Sequence, residues 1–289
     1  MSPAFDVGQC ATLACLLEVT VPKPGNVHRG ADFVDLTFAD FAAAAVAIAP
    51  AMSAAAAGLS LGACVHQAIA ATRLVCATNV NLGIVLLLTP LAAASRRGRS
   101  LEELRHGVSE VLRNLTPADA AEVYAAIALA QPGGMGKVSE ADVADAPPSD
   151  LLHAMRLAAE RDSVARQYAD DFRELFELVV PTLDAHLTAG RGAADAVIRT
   201  FLHVLHTLPD SLIARKCGVA AAQEVSVAAG QVLEAGQSDD EVFHETLADF
   251  DFWLRSDGHR RNPGTTADLL AAALFALLLA DRIPRPFRL

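Results

Sequence analysis

Long apolar segments without charge, interrupted by three short polar islands, set the strongest limit on what this chain can fold into. No charged residue occurs from Ala42 to Val65 or from Leu74 to Ser95. Alternation of β-branched and aromatic residues is nearly absent, whereas alanine and leucine, both strong helix formers, dominate. The pattern predicts an all-α fold. With 53% hydrophobic residues over 289 positions the chain can bury a large core, and we expect residues 1–289 to form a single multi-helix globular domain. Breaks at Pro22 to Gly30, Pro50, Gly98, Thr116-Pro117, Gln131 to Pro148, Pro181, Gly190 to Gly192, Pro209, Gly236 and Ser256 to Gly264 divide it into about ten helices, with the site in loops and helix ends. Val164, Tyr168, Phe172, Leu175 and Val179 recur at helical spacing, which predicts one amphipathic helix there.

Composition excludes several classes of function. Twenty-three basic against 34 acidic residues give a net charge of −11, which disfavours nucleic acid or an anionic membrane surface as partner. Any anion must be bound locally. The five cysteines show neither a Cys-x-x-Cys pair nor zinc-cluster spacing, and no secretory signal opens the chain, so they read as reduced core residues of a cytoplasmic protein. Ala42 to Val65 is long enough to span a bilayer, but its alanines and its Pro50, Ser53, Gly58, Ser60 and Gly62 fit a buried helix pair better. So much apolar helix also points to a homodimer.

The first island, Pro22-Lys23-Pro24-Gly25-Asn26-Val27-His28-Arg29, forbids helix and crowds donors into one loop, which suits an anionic ligand better than an ordinary solvated connection. Glu18 precedes it, and Asp32 and Asp35 follow. The second island, Thr78-Asn79-Val80-Asn81-Leu82-Gly83, places amides inside an apolar stretch, where they are costly unless they serve a pocket. The third, Asn262-Pro263-Gly264-Thr265-Thr266-Ala267-Asp268, opens the last apolar run. There Thr265 and Asp268 form a capping-box-like pair at a helix start that can attract an anion.

Three further stretches carry chemistry-bearing side chains. Gln131-Pro132-Gly133-Gly134-Met135-Gly136-Lys137 fails the P-loop test, because the pattern needs glycine at Gln131 and Ser or Thr at Val138, and no strand precedes it; a lid contributing Lys137 or a plain loop are the readings left. His203, His206 and Asp210 share one helical face, and polar capping of a core helix explains the histidines better than metal ligation. Asp210-Ser211-Leu212-Ile213-Ala214-Arg215-Lys216-Cys217-Gly218 puts a carboxylate and two cations beside a turn, a stronger candidate for phosphate and metal work.

In this order, the Glu18-Val19 and Pro-Lys-Pro-Gly segment, Asn79 to Gly83, Asp210 to Gly218, and Asn262-Pro263-Gly264 with Ala267-Asp268-Leu269-Leu270 resemble the triphosphoribosyl-dephospho-CoA synthase family over most of the chain. The resemblance implies an all-α pentosyltransferase that moves a phosphorylated ribosyl group from ATP, with adenine leaving, to the 2′-hydroxyl of dephospho-CoA. Typical members carry Val-Asp-Arg where this chain has Val27-His28-Arg29, and Asn-Thr-His-Lys-Gly where it has Asn79-Val80-Asn81-Leu82-Gly83. Those departures resemble a divergent archaeal and methylotroph branch linked to tetrahydromethanopterin biosynthesis, which implies phosphoribosyl pyrophosphate as an alternative donor. A non-catalytic nucleotide-binding protein is the third expectation. By residue type and island, Lys23, Arg29, Arg215 and Lys216 are expected on phosphate and Asp32, Asp35, Asp210 and Asp268 on Mg²⁺. Asp210, Asp35 or His28 is expected as base, and Asn26, Asn79, Asn81 and Asn262 on sugar or base.

Overall fold

A computed structural model describes residues 5–131 and 149–287 of the chain. Among these residues it has fifteen α-helices, one π-helical turn and no strand. They are α1 (Val7–Thr20), α2 (Phe38–Ala47), α3 (Ala49–Ala57), α4 (Leu61–Val75), α5 (Leu82–Ala94), α6 (Leu101–Arg113), α7 (Pro117–Ala130) and α8 (Leu151–Ala158). After them come α9 (Ser163–Ala169), α10 (Val180–Thr188), α11 (Ala193–Thr207), α12 (Ser211–Cys217), α13 (Val219–Glu234), α14 (Glu241–Arg255) and α15 (Gly264–Leu279). The all-α expectation holds, but the helices exceed the expected ten or so, because several breaks carry no proline. The chain turns without one at Gly218, φ 94°, between α12 and α13, whereas the turn at Ile48 between α2 and α3 is the break expected at Pro50, which stands in the first turn of α3.

The helix expected through Val164 and Val179 is likewise interrupted. α9 ends at Ala169, Asp171 and Phe172 take positive φ, and a π turn at Leu175–Val179 leads into α10. The apolar face survives the break, with Val164, Tyr168, Phe172, Leu175 and Val179 all buried. Pro181 does not stop the chain as expected, since it stands in the first turn of α10, where a missing donor costs little.

α15 is the axis of the molecule. Nearly every residue in it is buried, and α1, α5, α10 and α11 pack around it. A helix that is apolar all round belongs in the interior, and α5 is the second such helix. Pro90 lies within α5 and cannot donate to the carbonyl of Leu86 four residues back. The Tyr168 hydroxyl donates to that oxygen instead, at 2.7 Å, and ties α9 to α5.

Phe38–Ala57 is long and apolar enough to cross a membrane by length and composition alone, with mean hydropathy 1.6. It is two helices, packed on α1, α4 and α5, and 33% of its most apolar window is buried. The expected helix pair is present and only partly interior. All five cysteines are free thiols, and four are buried. Of the glycine-rich stretch, Gln131 ends α7 in a left-handed conformation, and Pro132 to Pro148 lie outside the described residues.

Candidate functional site

α1 and α15 each carry one charged side chain in an otherwise uncharged sequence, Glu18 and Asp268. Both reach a cavity of about 320 Å³, within the usual range for small-molecule sites. Its other walls come from all three polar islands, from α5, α7, α8 and α9, and from α12. Asn26, Asn79, Asn81, Arg215, Lys216, Asn262 and Asp268 line it, as the islands lead one to expect.

Lys23 does not line it. The side chain is fully buried and turned back onto the end of α1. Pro22 has no N–H for the carbonyl of Glu18 four residues earlier, and the Lys23 ammonium supplies that bond. It also donates to the carbonyl of Val21 at 3.2 Å and pairs with the Glu18 carboxylate at 3.0 Å. Lys23 is therefore a helix cap and the counter-ion of Glu18, a correction to its expected place on phosphate. Burial pushes the Glu18 carboxyl up, and Lys23 opposes the rise.

Asp210 requires the same correction. It is buried, and its carboxylate accepts four hydrogen bonds, from the amides of Leu212 and Ile213 at 2.9 and 3.1 Å and from the amide and hydroxyl of Thr266 at 2.7 and 2.8 Å. One side chain thus caps α12 and the first turn of α15 together. No lone pair is left for a cation or a substrate proton. The expected capping box of Thr265 and Asp268 is absent for the same reason. α15 starts at Gly264, Thr265 accepts from the Ser211 hydroxyl, and Asp268 remains free to face the cavity.

Asp268 packs on α5 where Gly83 leaves room; a Cβ on Gly83 would stand 2.6 Å from the Asp268 Cγ. Burial lifts its carboxyl well above the usual range, Glu18, Asp210 and Asp162 add to the rise, and Arg215 opposes it. Arg215 pairs with Asp162 at 2.7 Å and keeps a buried Nε without a partner. The amide oxygens of Asn26 and Asn81 are also buried and unmatched, although Asn26 donates to Asn262 at 2.6 Å and Asn81 to Thr72 at 3.1 Å. Asn79 accepts from the amide of Leu82 at the start of α5.

The remaining expected residues stand apart from the cavity. Arg29, Asp32 and Asp35 are exposed, and Asp32 caps α2 by accepting from the amide of Phe38 at 2.7 Å. The His28 ring accepts from the amide of Gly30 at 3.2 Å; burial, then Arg255, lower its affinity for a proton. His203 and His206 part company: His206 meets the carbonyl of Ser226, while His203 lies on a shallow surface beside His186. The loop itself is held by α14, which the islands do not reveal. Asp251 accepts from the amide of Gly25 at 2.7 Å, and Arg255 donates to the carbonyl of Asn26.

Glu18, noted beside the first island, is a cavity residue without having been given a role, and the sequence reading misses Arg161 and Asp162. A usable signal existed for Glu18, a lone acid in an apolar helix. Arg161 and Asp162 sit in a charged run and carry none. Among the described residues no three or more His, Cys, Asp or Glu side chains are arranged to hold a metal ion.

Known proteins match this chain on the same lines. A crystal structure from Archaeoglobus fulgidus, provisionally named triphosphoribosyl-dephospho-CoA synthase, superposes with a TM-score of 0.65 and 26% identity over 85% of this chain and 99% of that one. A Pseudomonas syringae pv. tomato protein named "Probable 2-(5''-triphosphoribosyl)-3'-dephosphocoenzyme-A synthase" is 31% identical over 112 residues, so the match spans only 38% of that relative's length. The model of the CitG family, ATP:dephospho-CoA triphosphoribosyl transferase, matches residues 4–286. With nearly the whole chain covered, the protein belongs to the ATP:dephospho-CoA triphosphoribosyl transferase family.

Proposed function

We propose that the protein transfers the triphosphoribosyl group of ATP to an alcohol of the dephospho-CoA kind and releases adenine. One observation carries the reading: Glu18 and Asp268, the only charged residues of α1 and α15, face one cavity beside unmatched amides and the cations of α12. In the reaction the ribose C1′–N9 bond breaks and a C1′–O bond forms. The acceptor's proton ends on adenine. The transition state is oxocarbenium-like, so nearby carboxylates stabilise it and position the hydroxyl.

The two acids differ in what surrounds them. Asp268, raised by burial and three carboxylate neighbours, is suited to hold a proton and give it to departing adenine. Glu18, held against Lys23, is suited to accept the proton of the acceptor hydroxyl. Arg161, Arg215 and Lys216 line the cavity where a triphosphate can be neutralised. The four-carboxylate Mg²⁺ site does not assemble, since Asp32 and Asp35 lie outside the cavity and Asp210 is fully bonded. The residues fit magnesium only as an ion carried in on the triphosphate, which needs few protein ligands.

The test is incubation with ATP and dephospho-CoA. Chromatography should show adenine in step with an acceptor heavier by one triphosphoribosyl group, and no adenine above an enzyme-free control would refute the reading. A second reading has one observation in its favour. Asn81 and Leu82 line the cavity at the positions where typical members carry His and Lys. A wall altered there suits transfer from phosphoribosyl pyrophosphate to a pterin-pathway alcohol, and pyrophosphate in place of adenine would reveal it. A homodimer would use exposed apolar side chains such as Leu74 and Phe252, and sedimentation would detect it.

A further inference from the structure

Asn26 lines the cavity, and what holds it in place lies outside. Its side-chain nitrogen donates to the Asn262 oxygen at 2.6 Å, its backbone amide donates to the carbonyl of Lys23 at 3.2 Å, and its amide oxygen is buried without a partner. Two further bonds come from α14. Asp251 accepts from the amide of Gly25 at 2.7 Å, and Arg255 donates to the carbonyl of Asn26. The Arg255 Nε also donates to both Asp251 oxygens, at 2.8 and 2.9 Å, so one ion pair grips the backbone on either side of the Gly25–Asn26 peptide. Neither Asp251 nor Arg255 lines the cavity.

Stability does not explain this pair. α14 is a peripheral helix, with only Phe243, Phe250 and Leu254 of its 15 residues buried. Close packing already fixes how near the loop lies to it. Gly25 stands at φ 75°, and a Cβ there would be 2.9 Å from the Leu254 side chain and 3.0 Å from Pro263. The Asp251 side chain is 33% exposed, and ion pairs open to water add little net stability. What a planar guanidinium adds is direction, because its donors are fixed relative to one another. A route through Phe33 is weaker: Arg255 stands 5.9 Å from that ring, at the limit of about 6 Å for a cation over an aromatic face. The His259 ring, stacked on Phe33 at 3.9 Å, braces it without Arg255.

We propose that Asp251 and Arg255 are positioning residues for nucleotide binding, acting on the ligand only through Asn26, whose amide they set in the cavity wall. This rests on the transferase reading for its ligand, ATP.

Calorimetry of ATP binding to the full chain, arranged as a double-variant cycle, tests that path. Asn26→Ala should weaken ATP about tenfold, the worth of one well-placed hydrogen bond. Arg255→Gln, which loses the charge and the bond to the Asn26 carbonyl, should weaken it about fivefold or more. Asp251→Asn, which keeps an acceptor for the Gly25 amide, should cost about threefold. Combined with Asn26→Ala, neither should add more than about twofold, since the group they position is gone. A pair that only stabilised the fold would lower the melting temperature without this coupling. Losses that multiply in the double variants, unchanged ATP affinity in Arg255→Gln, or absence of ATP binding to the wild-type chain would overturn the assignment. If Arg255→Gln does not fold, the cycle with Asp251→Asn decides alone. Coupled losses of ATP affinity without adenine release in the presence of dephospho-CoA would leave the positioning role standing and refute the transferase reading.

Discussion

Replacing Lys23 by methionine separates the structural role of this residue from the phosphate role that its loop suggests. The ammonium is buried, pairs with Glu18 at 3.0 Å, and serves the Glu18 and Val21 carbonyls. Without it Glu18 is an unpaired carboxylate in the interior, and removing one partner of such a pair costs about 3–5 kcal/mol. The unpaired group takes up a proton instead, so its folded pKa rises above the ordinary value of about 4.3 for an unfolded chain. A group raised in this way contributes its stability below the unfolded pKa and loses it as pH rises toward the folded one. On top of a pH-independent cost for the two carbonyls left without a donor, the pH-dependent part of the deficit therefore grows by up to about 1.4 kcal/mol per pH unit, from at most about 1 kcal/mol at pH 5 to at most about 4 kcal/mol at pH 7.5. An unfolding entropy of roughly 0.6 kcal/mol/K for a chain of this length converts these to about 2 °C and about 7 °C. Thermal melts of wild type and Lys23→Met at the two pH values measure the difference, and Glu18→Gln with Lys23→Met should recover much of it. A variant that melts like wild type at pH 7.5, a deficit that does not shrink on acidification, or a double variant no better than the single one would refute the reasoning. Weaker nucleotide binding with an unchanged melting point would instead return Lys23 to the phosphate.

Asp210→Ala removes the shared cap of α12 and α15, and at about 1–2 kcal/mol per cap should lower stability by about 2–4 kcal/mol in denaturant titration; loss of turnover at undiminished stability would show that the carboxylate acts on substrate. Gly83→Ala drives a methyl group into the Asp268 carboxyl, and a displacement of about 1 Å should reduce kcat about a hundredfold with little change in melting temperature; full activity would show that Asp268 need not stand there. Tyr168→Phe strands the Leu86 carbonyl at a cost of about 1–3 kcal/mol. In a Pro90→Ala background the helix supplies its own donor, so the same substitution should cost clearly less, and equal costs in both backgrounds would disprove the link.

The fold class was legible from composition: α5 and α15 are built mainly of Ala and Leu with a single charged residue between them, and only the interior accommodates such helices. The cavity was legible in part, since Asn26, Asn79, Asn81, Asn262 and Asp268 from the islands and Arg215 and Lys216 from the Asp210 to Gly218 stretch line one cavity. What sequence order could not tell is which polar groups answer to the backbone. Asp210 and Asp268 look equivalent as acids next to helix starts, yet Asp210 points at the orphan amides of two helices while Asp268, one turn into α15, has none to serve. Asp32 goes to a cap for the same reason.

The prolines explain why the expected phosphate cation turns inward, and they supply a rule the sequence could have used. A proline deprives the carbonyl four residues earlier of its helical donor, and in an apolar setting no water replaces it. Pro22 does this to Glu18 and Pro90 to Leu86, and in each case a long side chain with a terminal donor fills the gap, Lys23 in one and Tyr168 in the other. Lys23 stands one residue after its proline, so proximity favoured that answer over a ligand from the start. The same bond brings the ammonium within 3.0 Å of the Glu18 carboxylate, so the turn that ends α1 also provides the counter-charge for an acid at the cavity. The Pro-Lys-Pro-Gly island thus contributes to the site through Glu18, and its cation is needed where it is buried.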